Sequence, residues 1–121
     1  MINLDKNNNN DNNDIEKLKE IAAFKKIIAG NHLKNIRLEK DLTLSEASKY
    51  INISPTYLSD IEHGRKLPSD TTIKNIIDFY KIDEIYLFNI FGKISLTVRE
   101  LLLNDLNLQR KIYNRVKINK H

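Results

Sequence analysis

Residues 43–69 read TLSEASKYINISPTYLSDIEHGRKLPS, and the punctuation of this stretch decides the fold. Thr43-Leu44-Ser45-Glu46 has the form of a capping box: the Thr hydroxyl takes one orphan amide while Glu46 reaches back to the cap. It opens a short helix that closes at Asn52, a residue type that tolerates the left-handed backbone. Two residues on, Ser54-Pro55 reads as an N-cap followed by proline at the first helical position. Leu58 and Ile61 give that helix a buried face, and Gly64 ends it. Leu67-Pro68-Ser69 starts another helix, with Ile73, Ile76, Ile77 and Tyr80 facing inward. Two short helices joined by a tight turn are the arrangement that offers one helix to the major groove of DNA.

The same reading extends outward in both directions. Leu33 and Ile36 put an apolar stripe on a helix that ends near Lys40-Asp41. Upstream, Ile15, Leu18, Ile21, Ala22, Ile28 and Ala29 recur at three- and four-residue steps, which predicts an amphipathic helix capped by Asp14. Gly30-Asn31 predicts a break between these two helices. The Asn/Asp run from Asn3 to Asn13 has almost nothing to bury and is expected to be disordered. Downstream, Ile85, Leu87, Phe88, Ile90 and Phe91 form an apolar stretch ending at Gly92. Thr97-Val98-Arg99-Glu100 can cap a helix carrying Leu101, Leu102 and Leu103, and Asp105 can cap a last one with Leu108, Ile112 and Val116. These residues either cover the protein's own core or form a dimer seam, and the second reading is favoured.

Nothing in the chain alternates with period two over a strand's length, so the fold class is all-α. The expected organisation is a tail at 1–13, a helical arm at 14–30, a DNA-binding domain at 31–82 and a helical extension at 83–121 that serves dimerisation.

The formal net charge of +4 is unevenly spread. Residues 31–80 hold seven acidic and seven basic residues, so the proposed reading domain is neutral. The excess lies in 93–121, where Lys93, Arg99, Arg110, Lys111, Arg115, Lys117 and Lys120 face only Glu100 and Asp105. A pI near 9.2 is compatible with nucleic acid. The chain has no cysteine, which excludes a disulfide framework and thiolate metal sites. No apolar run approaches the ~20 residues that cross a bilayer, and the polar start is unlike a secretory leader. A cytoplasmic protein without membrane contact is the expectation. His32, His63 and His121 lie on separate elements, Gly30, Gly64 and Gly92 are too dispersed to cradle phosphate, and Asp60 and Glu62 face different sides of one helix. Neither an enzyme nor a cofactor-dependent protein is indicated.

The functional candidates sit on helix 54–63. With Leu58 and Ile61 turned inward, Pro55, Thr56, Tyr57, Ser59 and Asp60 are left outside, and a groove about 12 Å wide admits a helix with such compact polar side chains. Thr56, Tyr57, Ser59 and Asp60 are expected to read bases. Thr43 and Ser54, at helix N-termini, and His63, Arg65 and Lys66, beyond the helix, are expected on phosphates.

The stretch LKNIRLEKDLTLSEASKYINISPTYLSDIEHGRKLPSDTTIKNIIDFYKID resembles the lambda-repressor and Cro-like family, also called the Xre family, over about 50 residues. Its most specific part is ISPTYLSDIEHGRKLPS, Ile53 to Ser69, which matches a recognition helix and its exit. The resemblance implies a five-helix domain that binds double-stranded DNA as a homodimer and represses transcription. It also implies a buried ion pair between Arg37 and Glu62 that fixes geometry rather than reading DNA. Four positions depart from the family pattern. Leu44 replaces a phosphate-holding Gln, Asn52 stands where the turn is often Gly, Ser48 is the small residue inside the second helix, and Asp60 puts an acid on the reading face. Two alternatives remain: an antitoxin- or immunity-type repressor holding a protein partner through its arm or extension, and a protein-interaction scaffold reusing the fold.

Overall fold

The computed structural model describes residues 4–119, with side chains from 12 to 117. Seven helices and no strand occur among the described residues: α1 (Leu4–Glu39), α2 (Leu44–Ile51), α3 (Pro55–Glu62), α4 (Asp70–Tyr80), α5 (Glu84–Ile90), α6 (Leu96–Asn104) and α7 (Leu106–Asn119). The starts follow the side chains that can take an orphan amide. Thr43 and Glu46 complete a reciprocal capping box, and Ser54, Ser69, Asp83 and Ser95 each accept the amide three residues on.

The stops of α1–α5 share one device. Asp41, Asn52, Gly64, Lys81 and Gly92 all have positive φ, between 59° and 74°. After each, the next amide reaches back to a carbonyl five residues earlier: Leu42 to Arg37, Ile53 to Ser48, Arg65 to Asp60, Ile82 to Ile77 and Lys93 to Phe88. This is the Schellman arrangement, which satisfies carbonyls that the helix end leaves free.

Ala29, Leu33, Ala47, Ile51, Leu58, Ile61, Ile73, Ile76, Tyr80, Leu87, Phe88 and Phe91 form the core. The second half of α1 and helices α2–α5 therefore make one packed unit. Its packing runs on to Phe91 rather than ending at Ile82, because Leu87, Phe88 and Phe91 are buried in the same cluster. Helices α6 and α7 pack on each other, and among their described side chains none is fully buried.

Three further expectations are corrected. The break at Gly30-Asn31 does not occur, because α1 passes straight through it. Gly30 is instead the crossing point with α3: a Cβ there would collide with the Ile61 carbonyl and come within 2.7 Å of that of Glu62. The helix also takes in Asp14 and residues 4–13, with residues 1–3 outside the described part. Asn is a poor helix former, but extending an existing helix adds a hydrogen bond per residue with no new nucleus. The cap of α6 is Ser95, two residues before Thr97, since its hydroxyl accepts the Val98 amide at 3.1 Å.

The crossing at Gly30 carries an expectation for stability. Gly30→Ala gains helix propensity, yet its methyl has backbone on its far side and no room to yield. We expect a net loss of about 1–3 kcal/mol in denaturant unfolding, as for overpacking generally. A gain in stability from this substitution would show that α1 and α3 are not so closely packed.

Candidate nucleic-acid interface

Helices α2 and α3 meet through Asn52, Ile53 and Ser54. Asn52 takes the left-handed conformation at φ 66°, and Asn75 of α4 donates its side-chain amide to the Ile51 carbonyl at 3.2 Å. That bond satisfies one end-group of α2 and holds the turn against α4. Ser48 is buried on α2 and returns its hydroxyl to the Ser45 carbonyl at 3.0 Å. Leu44, where the family often has Gln, is half-buried against the core.

Arg37 and Glu62 set the tilt of α3. The guanidinium Nε and Nη2 donate to the two Glu62 carboxylate oxygens at 2.7 and 3.0 Å, and Nη1 donates to the Leu42 carbonyl at 2.7 Å. Both side chains are buried. One arginine thus ties α1, the α1–α2 loop and α3 together. The Glu62 hydrogen bonds hold the Arg37 guanidinium above its ordinary pKa, against the opposing effect of burial. Tyr80 lies close enough to feel this pair, and burial pushes its hydroxyl up to about 12.

The face of α3 turned away from the core carries Pro55, Thr56, Ser59 and Asp60. Thr56 is exposed, and Ser59 is half-exposed with its hydroxyl 3.4 Å from His63 Nδ1. His63 Nδ1 is also 2.7 Å from the Ser59 carbonyl. In a neutral ring that distance assigns the proton to Nδ1 and leaves Nε2 as the acceptor. Thr43 and Ser54 cap α2 and α3, their hydroxyl oxygens each taking a backbone amide, from Glu46 and Tyr57 respectively. The two hydrogen bonds from Thr43 hold the Glu46 carboxyl below the usual range.

Two of the four expected base-reading residues are engaged within the protein. Tyr57 is half-buried against the core, and its phenolic oxygen accepts the Ser69 amide at 3.2 Å, bridging the start of α3 to the cap of α4. Asp60 receives Arg65 Nε at 3.0 Å on one carboxylate oxygen and Lys66 Nζ at 3.3 Å on the other. The Arg65 hydrogen bond chiefly, with Lys66, lowers the Asp60 carboxyl from its ordinary value. A pairing across a Gly turn at five and six residues is invisible to helix periodicity, and so escaped the sequence reading.

Lys93 and Arg99 have a similar fate. Lys93 Nζ donates to Asp70 at 2.7 Å and to the Pro68 carbonyl at 3.1 Å, while Arg99 reaches the other Asp70 oxygen at 3.3 Å. Chiefly through Lys93, this holds Asp70 below the usual carboxylate range. Two of the seven C-terminal basic residues thus fasten the α5–α6 segment to the start of α4. Arg110, Lys111, Arg115 and Lys117 on α7 are exposed, and the Lys120 side chain lies outside the described part. Among the described residues no group of His, Cys, Asp or Glu could hold a metal ion, and no helix is long and apolar enough to cross a membrane.

A family model described as Helix-turn-helix matches residues 33–87, from the core half of α1 into α5. That match agrees with the resemblance of this stretch to the lambda-repressor-like, or Xre, helix-turn-helix proteins. The chain is 44% identical over 54 residues to the ImmF control region 10 kDa protein of Bacillus phage phi105, covering 45% of this chain and 60% of that one. It is 38% identical over 56 residues to the transcriptional regulator ClgR of Mycobacterium tuberculosis, covering 46% and 50%. The chain therefore spans only half to three-fifths of the length of the curated relatives it matches. Among solved structures, the clp gene regulator ClgR from Corynebacterium glutamicum aligns with a TM-score of 0.49 at 22% identity, over 80% of this chain and 94% of that one.

Proposed function

We propose that this protein is a transcriptional regulator that binds double-stranded DNA as a homodimer, with α3 in the major groove. The observation that supports it most is the outward face of α3: a polar strip at Thr56 and Ser59, followed directly by His63, Arg65 and Lys66 at the surface. Thr56 and Ser59 read base edges in this account. Thr43, Ser54, His63, Arg65 and Lys66 contact phosphates, while Tyr57 and Asp60 shape the exit of the helix. Similarity to a phage control-region protein and to a transcriptional regulator supports a regulatory role, which we read as repression.

The dimer seam is assigned to α6 and α7. Leu101, Leu103, Leu106, Ile112, Tyr113 and Val116 are all exposed there, more apolar surface than a solvated pair of helices carries without a partner. A second reading rests on α1, whose Ile15, Leu18, Ile21 and Phe24 are likewise exposed. In it the arm holds a protein partner, as in an antitoxin- or immunity-type repressor.

The α3 assignment is tested by Thr56→Ala combined with Ser59→Ala. Neither side chain supports the core, so the variant should melt like the parent. Its affinity for a selected site should fall by about 1–3 kcal/mol, the worth of base contacts, while its affinity for random duplex stays level. Full retention of site preference would remove α3 as the reading element.

A further inference from the structure

We infer that Asp60 is a specificity-determining residue: its carboxylate neutralises Arg65 and Lys66 and so restrains attachment to DNA of the wrong sequence. The inference rests on the DNA-binding reading above and names a control within that same site. Asp60 lies in the last turn of α3, where the negative end of the helix dipole disfavours an acid. Its two oxygens are each occupied by a different cation, and its side chain is only 17% exposed, while Arg65 and Lys66 are 59% and 61% exposed. The main chain reinforces the pairing, because the Asp60 carbonyl accepts the Arg65 amide at 2.8 Å and the Lys66 amide at 3.3 Å. Gly64 makes this possible: its φ of 72° turns the chain back over α3, where a Cβ would meet the Ile27 backbone at 2.8 Å. The two exposed cations that follow the reading helix are thus both paired to one carboxylate in the free protein.

Phosphate contacts carry no sequence information and dominate binding to random DNA. A phosphate that recruits Arg65 or Lys66 must compete with Asp60. Random DNA, held by phosphate contacts alone, bears that cost uncompensated, whereas at a matched site the freed Asp60 carboxylate accepts a hydrogen bond from a base amino group in exchange. It also accounts for an acid on a face otherwise suited to DNA, in a domain with no net charge.

The test measures affinity for a random-sequence duplex across a salt series. The variants are Asp60→Asn, Arg65→Gln with Lys66→Gln, and all three changes together. Asp60→Asn should bind random duplex about tenfold tighter near 0.1 M salt, and the log–log salt slope should steepen by about 1–2. Its preference for a selected site over random DNA should shrink. In the Arg65→Gln, Lys66→Gln background the same change should have almost no effect, as coupled residues require. If the acid merely repelled the backbone, its removal would raise affinity equally in both backgrounds, and that result overturns the proposal. An unchanged slope in Asp60→Asn overturns it as well, while wild-type binding to DNA leaves the general reading intact. Folded protein that binds no duplex in any variant at low salt overturns the DNA reading itself.

Discussion

Replacing Glu62 by alanine should lower the unfolding free energy by about 3–5 kcal/mol, most of the margin of a domain whose stability is near the low end of the usual ~5–15 kcal/mol. The loss comes less from the removed attraction than from what stays behind. Arg37 would remain buried with one hydrogen bond, to the Leu42 carbonyl, and no counter-charge. The companion variant separates these contributions. Arg37→Met with Glu62→Leu removes both charges together, and apolar replacement of a buried pair is often close to neutral. We expect this double variant to regain most of the stability in chemical denaturation, yet to bind DNA less well, because the fork between α1, the α1–α2 loop and α3 is gone. A loss below about 1 kcal/mol for Glu62→Ala would mean that solvent reaches the pair, contrary to its burial.

The second large effect concerns assembly. Leu103 is 73% exposed and Ile112 is 46% exposed, on the two helices whose described side chains include none that is fully buried. Leu103→Glu with Ile112→Glu should therefore leave the melting of the α1–α5 unit unchanged. In sedimentation, the dimer should dissociate at least about a hundredfold more readily. Affinity for paired half-sites should fall comparably, since two linked contacts gain avidity that one lacks. A variant that stays dimeric would move the seam to the exposed face of α1.

The ends of α2 and α3 and the start of α4 were legible because they depend on near neighbours. Thr43 with Glu46, Ser54 with Pro55, and Ser69 satisfy amides within three residues, so the local sequence contains both partners. Asn52 likewise announces its own left-handed turn. The path of α1 was not legible, because Gly30 reads locally as a breaker and only its contact with the α3 carbonyls explains it. The extent of the packed unit was missed for a related reason. The apolar residues of α5 looked surplus until Leu87, Phe88 and Phe91 were placed against α1 and α4. At the candidate site, periodicity put Pro55, Thr56, Ser59 and Asp60 on the outward face of α3, where they lie, but it put Tyr57 there too, and that ring packs on the core. Periodicity could not reveal that Tyr57 turns its hydroxyl to Ser69, or that Asp60 is held by residues beyond the Gly turn. Lys93 and Arg99 read as a free basic tail, because their partner Asp70 lies more than twenty residues away in the chain.

The central claim is that α3 reads a DNA sequence as part of a dimer, and selection of bound sequences from a random duplex pool at near-physiological salt tests it most directly. The account predicts enrichment of a palindrome whose half-sites lie about one helical turn apart, or a multiple of it, with the enrichment lost when Thr56 and Ser59 become alanine. A well-folded protein that enriches no sequence would contradict it.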